Sequence, residues 1–309
     1  MEIIDNFRGR DLLSIADLTN QEIEQLLTLA TQLKDGSIKP QCQKVLGLLF
    51  YKASTRTRVS FSVAMYQLGG QVIDLNPSVT QVGRGEPIAD TARVLDRYLD
   101  ILAVRTFKQE DLETFANYAN IPIINALSDL EHPCQILADL LTIQECFGSY
   151  QGLTLSYFGD GNNVAHSLLL AGAIVGMNVR LATPKTHLPD PNIVTQAENL
   201  KQSGTEITIT EDPEIGVKGA HVIYTDVWAS MGQEADAQAR IPIFSPYQVN
   251  ETLLSQADSE AIVLHCLPAH REEEITTGVL EGQQSRVWQQ AENRMHAQKA
   301  LLLSLLGVD

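Results

Sequence analysis

The chain of 309 residues is short of cysteine, of aromatic side chains and of basic charge. Cys42, Cys134, Cys146 and Cys266 are too sparse for a disulfide framework and lack the paired spacing of a zinc site. They are read as reduced thiols of a cytoplasmic protein. Lysine and arginine number 22 against 38 acids, a formal net charge of -16. That balance argues against non-specific nucleic-acid binding and against an anionic membrane surface. No apolar run reaches the length of a membrane span, and the opening MEIIDNFRGR carries acid early with no signal-peptide hydrophobic region. Repeats and low-complexity tracts are also missing. What remains, 44% hydrophobic and 19% charged, is a chain that buries a sizeable core and is long enough for two domains.

Apolar runs alternate with helical patterns throughout. Thr19 and Glu22 make a capping box, and Ile23, Leu26, Leu27, Ala30 and Leu33 form one helical stripe behind it. Strands are predicted at 45–50, 71–75, 101–105 and 122–124, with helices near 56–68, 87–98, 108–118 and 134–147. The second half predicts strands at 153–158, 178–182, 206–209, 221–225 and 261–265. Its helices fall near 163–175, 191–203 and 245–256, and a last one covers about 285–306 with Trp288, Ala291 and Met295 on one face. This alternation specifies α/β architecture: two domains, each a parallel β-sheet flanked by helices, with FGSYQG (147–152) as the joint. Ligands of such sheets sit beyond the carboxyl ends of strands, so the residues there carry the function.

The richest such stretch is YKASTRTRVSF, 51–61. It follows a buried strand and opens a helix, whose first N–H groups are unpaired and whose dipole is positive. Ser54, Thr55 and Thr57 hydroxyls with the Arg56 guanidinium make a phosphate cradle of that helix mouth. It is not a Walker loop, because the glycines and lysine are missing; the plain alternative is a capped helix start with solvated arginines. Arg105, in VRTF, ends another strand of the same half, and two strand-end arginines can converge on one anion. His132 and Gln135 stand at a helix start with Pro133 in its first turn, suited to hold an amide and its carbonyl oxygen; capping and core roles for His132 stay open.

In the second half, GDGNN (159–163) looks like a dinucleotide turn. However, Gly159-x-Gly161-x-x-Val164 lacks the third glycine, and no acid ends the next strand. Asn162 and Asn163 are read instead as polar groups at a helix mouth. Asp226 follows a strand and suits an ammonium group or an Asx turn. Beyond it, Ser230, Met231 and Gly232 allow a loop that closes over a ligand. Cys266 ends the last strand with His265, His270 and Arg271 nearby, as a thiolate or base, a buried thiol or a metal ligand. Arg294 lies on the final helix, where it serves as a surface arginine or a third anion-binding one.

Taken together, STRTR, GRGEPIADTARVL (83–95), VRT, HPCQILADLLT, GDGNN, TDVWASMGQE, HCLPAHR and AENRMHAQKA resemble the aspartate/ornithine carbamoyltransferase family, in its order and over nearly the whole chain. HPCQ, SMG and HCLP match its ornithine branch. The resemblance implies domains at 1–147 for carbamoyl phosphate and 148–285 for ornithine, with a C-terminal helix at 286–309 crossing back to the first. It implies that carbamoyl phosphate is bound by Ser54, Thr55, Arg56, Thr57, Arg105, His132, Gln135, Cys266, Leu267 and Arg294. Ornithine would be bound by Asn163, Asp226, Ser230 and Met231, and catalysis would fall to Cys266, Arg56, Arg105 and His132. It further implies citrulline formation for arginine biosynthesis, a homotrimer, and neither cofactor nor metal. HREEEI departs from the family's HRGEEI in a flanking turn. Rival readings are a sister transferase for putrescine, an acylated ornithine or aspartate, a catalytically silent relative, and a nicotinamide enzyme.

Overall fold

The first helix shows how local sequence sets the architecture. Thr19 Oγ1 accepts from the Glu22 N–H at 3.2 Å, and Glu22 Oε2 accepts from the Thr19 N–H at 2.8 Å. This reciprocal cap starts helix α1, Asn20–Asp35, which buries the stripe Ile23, Leu26, Leu27, Ala30 and Leu33. Each of its isoleucine and leucine side chains contributes about 1.5–3 kcal/mol on burial. The structure, a computed structural model, describes residues 7–229 and 236–307. The chain forms two units, Met1–Leu141 with Asn293–Asp309, and Thr142–Glu292.

The first unit runs β1 (Val45–Phe50), α2 (Thr55–Gln67), β2 (Gln71–Leu75), α3 (Ile88–Leu95), β3 (Ile101–Arg105), α4 (Gln109–Tyr118), β4 (Ile123–Leu127) and into α5 (Pro133–Phe147). Its strands are all parallel in the order β2-β1-β3-β4. Central strands covered on both faces must be apolar, and VLGLLF is, as is ILAV up to the closing Arg105 of β3. Leu49, Leu102, Val104, Leu112, Phe115 and Ile123 pack one side of the sheet. The chain leaves β1 toward β2 and later returns to build β3 on the other side, so the strand order reverses between β1 and β3.

The second unit runs β5 (Thr154–Phe158), α6 (Asn163–Val175), β6 (Asn178–Ala182), α7 (Pro191–Leu200), β7 (Ile207–Thr210), α8 (Pro213–Val217), β8 (Val222–Thr225), α9 (Ala237–Phe244), α10 (Glu251–Leu254), β9 (Ile262–His265) and α11 (Thr277–Leu280). Helix α12, Val287–Leu306, follows, and its residues from Asn293 onward belong to the first unit. The five strands are parallel in the order β7-β6-β5-β8-β9, reversing between β5 and β8.

One sequence expectation differs from the structure. The single helix predicted over 245–256 is instead a short turn of helix at Ser245–Tyr247 followed by α10. Pro246 opens the first piece, and the Asn250 side chain starts the second by accepting from the Leu253 N–H. The face of Trp288, Ala291 and Met295 is the less buried side of α12: Trp288 is 55% exposed, while Val287, Gln290, Arg294, Ala297 and Leu301 are buried. Among the described residues no helix is long and apolar enough to cross a membrane.

Gly161 holds the turn after β5 against the segment before α7. Its N–H donates to His187 O at 2.9 Å, and a Cβ there would fall on the backbone of Leu188 and Pro189. Backbone cannot swing aside as a side chain can. Gly161→Ala is therefore expected to destabilise the protein by about 1–3 kcal/mol, read from the urea unfolding midpoint.

Candidate active site

In the first unit the reversal between β1 and β3 places two strand ends side by side, with Phe50 in register with Arg105. Beyond β1 the chain turns directly into α2. Ser54 is extended at φ -156° and caps the helix, its Oγ accepting from the Thr57 N–H at 3.3 Å. Arg105 Nη1 donates to the same Oγ at 3.4 Å. From the final helix, Arg294 donates to Thr57 Oγ1 and to Gln135 Oε1, both at 2.8 Å. The Gln135 amide is oriented at its other end, where Nε2 donates to buried Asp139 at 2.8 Å.

Ser54, Thr57, Arg105, His132, Gln135 and Arg294 thus assemble in one cluster, although Arg294 lies 237 positions from Thr57 in sequence. Thr55 and Arg56 lie at the exposed start of α2. Arg58 is used otherwise: it pairs with Asp74 and lies over the Phe50 ring. Arg105 and Arg294 are only 8% and 4% exposed, an unusual burial of two cations in one place. His132, 4% exposed, responds to that setting. Burial first, and then the positive charges of Arg294, Arg105 and Arg56, hold its imidazole well below the usual histidine range. The ring is neutral at physiological pH and has one N–H to donate.

In the second unit the reversal falls between β5 and β8, and the polar residues again follow those strands. Asn162 caps α6, its Oδ1 accepting from the N–H groups of Val164 and Ala165 at 3.0 and 3.2 Å. Its Nδ2 donates to Asp226 Oδ2 at 3.0 Å. The other Asp226 oxygen accepts from the Cys266 thiol at 2.9 Å and from the Val227 N–H at 2.8 Å. Asn163 is the first residue of α6 and half-buried. Ser230 and Met231 lie outside the described residues. Leu267 follows Cys266 in the left-handed region at φ +58°.

Sequence reasoning missed one pair here. Asp160 and Arg240, 80 positions apart, form a buried ion pair, and Arg240 also donates to Trp228 O. Burial outweighs the attraction of Arg240 and, with Asp226 nearby, lifts the Asp160 carboxyl to about 6. The acid after a strand was a signal; its partner in α9 carried none.

Two groups of side chains among the described residues have metal-ligand types close together: Asp226, His265 and Cys266; and His270, Glu273 and Glu274. In the first, both His265 ring nitrogens are already engaged, Nδ1 by the Leu267 N–H and Nε2 by Glu274. Asp226, Cys266 and Asn162 are accordingly arranged around hydrogen bonding rather than around an imidazole metal donor. At the dinucleotide-like turn, Val164 is buried in the helix core where a third glycine would stand.

A family profile described as aspartate/ornithine carbamoyltransferase, carbamoyl-P binding domain, matches residues 10–145. Its companion, described as the Asp/Orn binding domain, matches residues 151–305. An ornithine carbamoyltransferase of Synechocystis is 70% identical over 300 residues, 97% of this chain and 97% of that protein. Among solved structures, the ornithine carbamoyltransferase of Gloeobacter violaceus is 56% identical with a TM-score of 0.89, covering 97% of this chain and 99% of that one. That of Pyrococcus furiosus is 50% identical with a TM-score of 0.93, covering 97% and 98%.

The two perturbed groups titrate in opposite senses. Unfolded, His132 takes a proton below pH 6.5 that the folded site refuses, so its stabilisation is present above that pH and lost as pH falls. Asp160 keeps its proton up to about pH 6 when folded but releases it at 3.8 when unfolded, so its stabilisation is lost as pH rises through 6. Urea unfolding against pH should show a shallower acid limb in His132→Asn, and a smaller loss of stability on raising pH through 6 in Asp160→Asn.

Proposed function

We propose that this chain, which belongs to the aspartate/ornithine carbamoyltransferase family, transfers the carbamoyl group of carbamoyl phosphate to the δ-amine of L-ornithine, giving L-citrulline and phosphate. The observation that carries this reading is the buried cluster in which Arg294 ties Thr57 to Gln135 beside Ser54 and Arg105. An acidic chain has no packing reason to bury two guanidiniums there, whereas a dianionic phosphate supplies one.

In this reading Ser54, Thr55, Arg56, Thr57, Arg105 and Arg294 hold the phosphate. His132 and Gln135 hold the carbamoyl end. Neutral His132 donates to the carbonyl oxygen without competing for the anion, and with Thr57 and Arg105 it stabilises the oxyanion as the amine attacks. Asn163, Asp226, Ser230 and Met231 bind ornithine, Asp226 through the α-ammonium, with Cys266 in its thiolate form as proton acceptor and Leu267 beside it. The new bond is N–C, the broken one is C–O to phosphate, and the proton leaves the amine. Placing donors where charge develops is the largest contribution to such catalysis. The expected setting is cytoplasmic, in arginine formation. A homotrimer fits the apolar side chains left exposed on α2 and β2 of the first unit, Val59, Tyr66 and Ile73, and sedimentation should give three chain masses.

Product formation from carbamoyl phosphate with L-ornithine, putrescine, N-acetylornithine and L-aspartate in parallel tests the assignment. Citrulline from ornithine alone is expected, and Arg56→Ala should lower the rate by about 10²–10³-fold. Turnover with another acceptor, or with none of the four, would sink the ornithine reading. Because a lysine-like amine titrates near about 10.4, the rate at subsaturating ornithine should rise between about pH 6 and 9. A flat profile would refute attack by the neutral amine.

A further inference from the structure

We propose that His265 and Glu274 form a positioning pair that sets the Cys266–Leu267 turn, an inference that rests on the carbamoyl-transfer reading for its catalytic consequence. Both side chains are fully buried, at 0% exposure. Leu267 at φ +58° is in a region that a leucine side chain disfavours, and such a conformation persists only where its surroundings over-determine it. Its N–H donates to His265 Nδ1 at 2.8 Å. That donor forces Nδ1 to be an acceptor, so the ring proton sits on Nε2 and is donated to Glu274 Oε1 at 3.1 Å. The same carboxylate oxygen accepts from the His270 N–H at 2.6 Å. One carboxylate therefore ties both ends of the segment 265–270.

Cys266 lies between those anchors with its thiol on Asp226 at 2.9 Å. With both ring nitrogens occupied, His265 has no lone pair left for a metal. Its remaining role is to hold the turn, and through it the alignment of thiol and carboxylate. Glu274 holds the tautomer, as second partners of a functional histidine commonly do.

The test compares His265→Leu, His265→Asn and Glu274→Gln, each with its unfolding midpoint measured. Asparagine places an amide oxygen close to where Nδ1 stands, and glutamine keeps an oxygen that accepts both donors of Glu274. His265→Leu should lower kcat by about 10²-fold. His265→Asn should recover most of that loss, and Glu274→Gln should retain most activity. Iodoacetamide labelling of Cys266, followed on its own peptide by mass spectrometry, should accelerate in His265→Leu and stay near wild type in the other two. Equal losses in Leu and Asn variants of equal stability would overturn the proposal, as would unchanged labelling in all three. If His265→Leu does not fold, an Asn variant that folds but labels fast is enough to overturn it. Should the wild type make no citrulline, the functional reading falls, while the labelling comparison still decides the positioning pair.

Discussion

The constraint on which both units depend is the reversal of strand order in a parallel sheet. Parallel strands send all their carboxyl ends to one edge, and where neighbouring crossovers leave in opposite directions the loops part. In the first unit that point lies between β1 and β3, and Ser54, Thr57 and Arg105 follow those two strands. In the second it lies between β5 and β8, with Asn162 and Asp226 after them and Cys266 after adjacent β9. The helices that begin there, α2 and α6, present N–H groups already partly claimed by Ser54 and Asn162, so the capping residues also shape the sites.

Electrostatics separates the two clusters. The first gathers guanidiniums out of water, and the effect is visible in His132, which surrenders its proton to that environment. The second is acidic, and Asp160 shows the reverse, a carboxyl pushed upward although Arg240 sits on it. A net charge of -16 makes the first cluster a local exception, and on the proposed reading this contrast would direct a small anion to one place on an otherwise repelling surface.

Legibility followed the distance over which a residue's role is decided. The placement of STRTR, Arg105, HPCQ and Asp226 was readable because strand ends and helix starts are local patterns. Most strands were readable because buried parallel strands are apolar runs. The Asp160–Arg240 pair was not, since only the folded chain brings those positions together. Glu274 was hidden differently. It is one of three consecutive acids, and nothing local distinguishes it from exposed Glu272 and Glu273. The broken helix at 245–256 shows periodicity overruled by Pro246 and by the cap at Asn250.

The return of Asn293–Asp309 to the first unit bears on the order of synthesis. A ribosome releases β1 to β4 early, and their sheet is free to form while the second unit is still being made. Yet Arg294, the residue that joins Thr57 to Gln135, emerges only after all of β1 to β9. A nascent chain thus has the scaffold of the first cluster long before the cluster is complete. Any product of premature termination before that helix keeps Thr57 and Gln135 but lacks the buried guanidinium that joins them.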